Sequence, residues 1–214
     1  MKCTLKEWQT IYKNPKELIV QGTPVDGSSS WQEHPIGMAF QYLDAVSLGE
    51  KIQFGTHTRT VHCSMRDHTD NKRRKNHAIT RMTILNTLKN NGISNRFTSS
   101  KEYFTSLPEY KFVISPEGNG VDCHRHYEAL IAGCIPILED NPLVIEKYKG
   151  LPILYTKDYS EITEEYLISI YDSMLNAQYD FSRIFLNYYP PNEISLIKSQ
   201  SEYWCKRFVK RTFY

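Results

Sequence analysis

The stretch Tyr110 to Asn141, YKFVISPEGNGVDCHRHYEALIAGCIPILEDN, constrains the chain more than any other. Lys111 to Ser115 is a short apolar run with the pattern of a buried strand. Pro116 ends that run, and Gly118 and Gly120 allow the backbone to turn tightly and a ligand to approach it. Cys123 to Ala132 carries Tyr127, Leu130 and Ile131 at helical spacing, and Ile135 to Leu138 is a second short strand. A strand, a helix and a strand in so short a span predict a βαβ unit with parallel strands.

The same alternation continues on both sides. Arg59 to Met65 reads as a strand, followed by a basic loop. A helix is expected from Asn76 to Asn90, with Ala78, Ile79, Met82, Leu85 and Leu88 on one face and Gly92 stopping it. Leu151 to Tyr155 reads as a strand, and Ser160 to Asn176 as an amphipathic helix with Tyr166, Leu167, Ile170 and Met174 inward. A last helix runs from Pro191 towards Phe208. Near the start, Glu17 to Gln21 reads as a strand feeding the polar loop Thr23 to Ser30, and Met38 to Val46 as a helix. The expected fold is α/β: a Rossmann-like parallel sheet flanked by helices over residues 56–214, with a reduced N-terminal, acceptor-side lobe over residues 1–55. In such sheets ligands bind at the carboxyl ends of strands. The two most polar strand-to-helix loops are 66–75 and 116–124.

Charge narrows the partners. The 26 basic and 24 acidic residues nearly cancel, and no aromatic platform flanks the basic run, so nucleic acid is not an expected partner. The positive charge is nevertheless clustered. Lys72, Arg73, Arg74 and Lys75 are consecutive, with Arg66, His68, His77 and Arg81 nearby. Such a run is either a solvated loop or a local anion site. The five cysteines are odd in number and widely spaced, without a CxxC, which fits reduced thiols and a cytoplasmic placement better than a disulfide framework. Cys123, His124 and His126 lack the second pair of ligands that a structural zinc site needs. Met1 to Pro15 has no apolar core of a signal peptide, and Ala129 to Leu138 is too short to cross a bilayer. No transmembrane segment is expected. The alternative to a cytoplasmic protein is a soluble catalytic domain excised from a secretory-pathway enzyme.

In the central motif, Ser115, Asn119 and Asp122 offer polar side chains beside the glycine turn. The free N–H groups at the start of the following helix favour an anion such as a diphosphate. Arg125 and Glu128 share a helix face one turn apart. They fit two readings equally: an i,i+3 ion pair, or a phosphate fork and a carboxylate that accepts from a ribose diol.

The segment resembles the donor-binding motif of exostosin-like glycosyltransferases, and it is also similar to GDP-fucose-dependent fucosyltransferases. The resemblance rests on Phe112-Val113-Ile114-Ser115-Pro116, Gly118-Asn119-Gly120, Asp122, Arg125, Glu128-Ala129-Leu130, Ala132-Gly133 and Ile135-Pro136-Ile137. It is close over about 30 residues and looser from about 58 to 160. It implies a GT-B arrangement, a UDP- or GDP-sugar donor, a glycan or other hydroxyl acceptor, and metal-independent, usually inverting transfer with no cofactor. It places Glu128 on the ribose, and Arg125 with Pro116, Gly118, Asn119 and Gly120 on the diphosphate. Ser115, Asp122 and His124 join the donor site, and Arg66, Arg73 and Arg74 add positive charge. Inverting transfer needs a base, for which Asp26 comes first, ahead of Glu33 and His34, although Asp26-Gly27 reads more readily as a plain turn. Trp31 is a candidate for stacking on a sugar. The alternative function is a non-catalytic nucleotide- or glycan-binding module of the same fold.

Overall fold

A computed structural model of the protein describes residues 1–23, 34–48 and 51–214. The chain opens with β1 (Lys2–Thr4) and one helical turn, α1 (Leu5–Trp8), which Thr4 and Glu7 close with a reciprocal capping box. Then come α2 (Phe40–Val46), the short pair β2 (Ser47–Leu48) and β3 (Lys51–Ile52), and β4 (Arg59–His62). The helices α3 (Asn71–Arg74), α4 (Arg81–Asn90) and α5 (Ser100–Ser106) precede β5 (Tyr110–Ile114). Next are α6 (His124–Ile131), β6 (Ile135–Glu139), α7 (Pro142–Lys147) and β7 (Leu154–Thr156). The last elements are α8 (Glu164–Asn176), β8 (Gln178–Asp180) and α9 (Pro191–Val209).

β4, β5, β6 and β7 form one parallel sheet in sequence order, with Val61 level with Phe112, Phe112 with Ile135, and Ile137 with Leu154. Helices flank it, as an α/β, Rossmann-like fold requires. β5 and β6 are its centre. Phe112, Val113, Ile114, Ile135 and Ile137 are fully buried, because strands covered on both faces have no solvent side. Gly133 ends α6 in the left-handed region at φ 82°, where a Cβ would lie 2.9 Å from Gln9 Cγ.

The described residues of the first 55 share this core. Trp8 is fully buried, its indole N–H donates to Leu130 O at 2.7 Å, and its ring stacks on Phe181 at 4.1 Å. β1 pairs antiparallel with β8, and α2 packs on α5. Leu5, Leu18, Met38 and Tyr42 belong to the same buried cluster as Phe112 and Ile135.

The structure differs from expectation in three places. Glu17 to Gln21 is no strand. Leu18 bridges Phe185 and Val20 bridges Met38, so the extended backbone changes partner at every step and no ladder forms. The basic run is not a loop, because Asn71–Arg74 is a helical turn. The helix expected from Asn76 starts only at Arg81, where Thr80 caps it and Asp70 Oδ2 accepts from Arg81 N at 2.8 Å. Its inner face is Arg81, Ile84 and Leu88, whereas Met82 is 55% exposed. A buried arginine has displaced the apolar periodicity.

Candidate functional site

A cleft of about 320 Å³ opens at the carboxyl ends of β4 and β5. Ser64, Met65 and Arg66, just beyond β4, form one wall. Gly118, Asn119, Gly120 and Asp122, from the turn after β5, form another. The first residues of three helices complete it: Arg81 of α4, Ser100 of α5, and His124 and Arg125 of α6. Helix N-termini present free N–H groups and the positive end of the dipole, so the cleft favours an anion.

Arg66, Arg81 and Arg125 line this space, and none of them makes an ion pair with a carboxylate among the described residues. Arg81 is buried and donates to Glu117 O at 2.8 Å and Pro116 O at 2.9 Å. Burial lowers its pKa, the direction expected of a cation with too little compensating charge. Arg125 donates to Ser64 O at 2.5 Å and lies over the Tyr103 ring at 4.6 Å. The Arg125–Glu128 ion pair is thus not formed. Glu128 is 4% exposed and accepts only a long bond, 3.4 Å, from Ala39 N. Burial raises its pKa to about 7, with Arg125 acting in the opposite direction.

The loops are held from behind. Asn95 clamps the β4 wall, accepting from Met65 N and donating to Met65 O, both at 2.9 Å. Arg74 is buried and surrounded by carboxylates, with Nη2 2.6 Å from Glu139 Oε1 and Nε 3.5 Å from Asp70 Oδ2. It also donates to Glu117 O at 3.2 Å, while Glu139 Oε2 accepts from Glu117 N at 3.0 Å. Burial disfavours the Arg74 charge, yet Glu139, Glu117 and Asp70 outweigh it and raise its pKa. This cage pins the 116–120 turn to the end of β6.

The residues expected in a donor site therefore divide. Arg66, Gly118, Asn119, Gly120, Asp122, His124, Arg125 and Glu128 line the cleft. Arg73, Arg74, Ser115 and Pro116 do not line it. Arg73 pairs with Glu117, and Arg74 with the cage, so their charge is spent on structure. Ser115 is fully buried against His126 Nδ1 at 2.8 Å. Pro116 offers only its carbonyl to Arg81. The Asp122 carboxylate is committed to Lys147 Nζ at 2.7 Å, Ile36 N at 2.9 Å and the Tyr148 hydroxyl. Burial opposes its ionisation, but these partners win and lower its pKa. Neither Gly118 nor Gly120 is left-handed, and space explains Gly118, where a Cβ would meet Arg81 Nη2 at 3.0 Å.

Asp26, Trp31 and Glu33 lie outside the described residues. His34 is buried with Nε2 2.9 Å from Gly22 O. The Cys123, His124 and His126 side chains turn to different partners, namely Gly120 O, Gly37 O and Ser115 Oγ. Arg81 was in plain view as part of the basic cluster, but its burial needed the fold. The aromatic wall of Phe97, Tyr103 and Phe104 had no motif to announce it. Among the described residues no helix is long and apolar enough to cross a membrane, and all five cysteines are free.

One relative is ribitol-5-phosphate xylosyltransferase 1 of Danio rerio, 29% identical over 76 residues, which is 30% of this chain and 18% of that protein. The chain thus matches less than a fifth of that relative's length. Residues 58–189, well over half of the chain, match the family described as the RXYLT1 C-terminal domain. The chain belongs to that family.

Proposed function

We propose that this chain is the donor-binding domain of a glycosyltransferase and that the cleft holds the nucleoside diphosphate of an activated sugar. The single observation that carries the reading is the pair Arg81 and Arg125, two guanidinium groups at one cleft without a carboxylate partner among the described residues. The nearby Glu128 suits a ribose diol, which offers two donors to a carboxylate otherwise short of them. The named activity of the Danio rerio relative supports the glycosyltransferase class, and the motif's likeness to exostosin-like enzymes implies a UDP- or GDP-linked donor and a GT-B arrangement.

In the proposed reaction an acceptor hydroxyl oxygen bonds to the anomeric carbon. The bond from that carbon to the β-phosphate oxygen breaks, and its electron pair leaves with the nucleoside diphosphate. The growing negative charge is met by Arg81, Arg125 and the start of α6, with no metal in the proposed step. Inversion at the anomeric carbon needs a base for the hydroxyl proton. Asp26 remains the candidate from sequence. His124 is a second. Its Nδ1 is 2.7 Å from Gly37 O, a carbonyl that only accepts, so the hydrogen sits on Nδ1 and Nε2 keeps its lone pair. Burial also lowers its pKa, which keeps the ring neutral. Residues 1–55 would form the acceptor side of the domain and 56–214 the nucleotide side. Free thiols throughout support a reducing, cytoplasmic setting.

The test is release of sugar from UDP- and GDP-linked donors, with and without glycan acceptors. Turnover is expected, and His124→Asn should lower it by about 10²- to 10⁴-fold while leaving nucleotide affinity unchanged. Nucleotide binding with no release or transfer from any donor would make the domain a binding module instead.

A further inference from the structure

A second concavity lies at the opposite end of the sheet from the cleft. It has a volume of about 490 Å³, within the size range of small-molecule sites, about 300–1,000 Å³. Its walls include Gly55 and Thr56, just before β4, and Pro108 and Glu109, just before β5. The cleft lies beyond the carboxyl ends of those same strands. Five residues of β5 therefore separate the two sites, roughly 16 Å of strand.

Phe54 lines the concavity, and Tyr12 stands against it from outside the lining. Tyr12 is 53% and Phe54 43% exposed, and their rings meet at 4.5 Å. Between them in the fold, Lys13 and Ile52 form a buried bridge, with Ile52 N donating to Lys13 O at 2.8 Å. Lys13 is anchored further by Trp8 O, which accepts from its ammonium at 2.8 Å. The wall below is equally fixed. A Cβ at Gly55 would lie 2.2 Å from Pro108 O, and His57 N donates to Pro108 O at 3.1 Å. An exposed aromatic pair on so firm a mount has not been placed there by core packing.

We propose that this concavity is a neutral-saccharide subsite, separate from the nucleotide cleft. A pyranose has an apolar C–H face and a rim of hydroxyls. Phe54 offers a ring face to the first, with Tyr12 packed beside it and the Lys51 ammonium 5.5 Å from the Tyr12 ring centroid. Gln53, Thr56 and Thr105 line or edge the same space and offer donors and acceptors to the second. A neutral ligand fits because Glu109, the one charged residue lining this concavity among the described residues, is already paired with Arg59 at 3.4 Å. Saccharide binding here follows from the local chemistry. A role in gripping an extended acceptor rests on the glycosyltransferase reading above.

Saturation-transfer NMR of the full chain with xylobiose, N,N′-diacetylchitobiose and N-acetyllactosamine tests the proposal. At least one should bind, and Phe54→Ala should weaken it by about tenfold or more. Glu128→Gln should leave saccharide binding intact, and Phe54→Ala should leave nucleoside diphosphate binding intact, so the two readings fail separately. Absence of all three signals overturns the proposal. So does saccharide binding indifferent to Phe54→Ala, or a Phe54-dependent dimer without saccharide binding.

Discussion

In the proposed function, Glu128 is the residue on which nucleotide recognition turns. It is buried, it faces an anion-favouring cleft, and burial lifts its pKa from 4.5 to about 7. The fold therefore prefers the protonated form. Between those two values the unfolded chain ionises Glu128 while the native chain keeps its proton. The stability this group contributes is full below 4.5 and falls as pH rises to about 7, by on the order of 3 kcal/mol. Urea unfolding of wild type and Glu128→Gln should show the wild type losing ground over that interval, whereas parallel curves would contradict the assignment. The ionised carboxylate is also the better acceptor for a diol. Nucleotide affinity of the wild type should rise through about pH 7 and stay flat in Glu128→Gln. The sequence placed Arg125 and Glu128 on one helix face but left an ion pair open. Only the position of Ser64 and Tyr103, which draw Arg125 away, shows that the ion pair does not form.

Among the elements, the strand–turn–helix unit from β5 to β6 was legible almost to the residue, because a buried strand, Pro116 and Gly133 each leave a local signature. The α3–α4 region was not. The basic run there suggested solvent or phosphate, yet Arg74 is buried among Asp70, Glu117 and Glu139. No local pattern records partners 43 and 65 residues away. Arg74→Met should cost about 3–5 kcal/mol, since it leaves three carboxylates without their cation. It should also weaken nucleotide binding, because the cage positions the 116–120 turn, although Arg74 does not line the cleft. Chemical denaturation and titration calorimetry read the two effects. A loss under about 1 kcal/mol would show the cage to be replaceable.

At the scale of the whole molecule, the described residues before β4 and the sheet share one interior. Trp8 donates to Leu130 O on α6, β1 pairs with β8, and Tyr42 packs edge-on against Phe104 of α5. A fragment of residues 56–214 should therefore expose the surfaces that bury Trp8 and α2, and should lose its cooperative thermal transition. A sharp native-like melt of that fragment would show the sheet domain to be independent. The sequence suggested a reduced N-terminal lobe because about 55 residues are too few for the second Rossmann-like domain that a GT-B resemblance implies, and a count of residues does not say which core they join. The account's central claim is that the cleft binds a nucleoside diphosphate through Arg125, Arg81 and Glu128. Its most direct test is titration calorimetry of the full chain with UDP and GDP in the presence of a metal chelator. One nucleotide should bind, and Arg125→Met and Glu128→Gln should each weaken it by roughly ten- to a hundredfold. No binding by either nucleotide, or binding untouched by both substitutions, would contradict it.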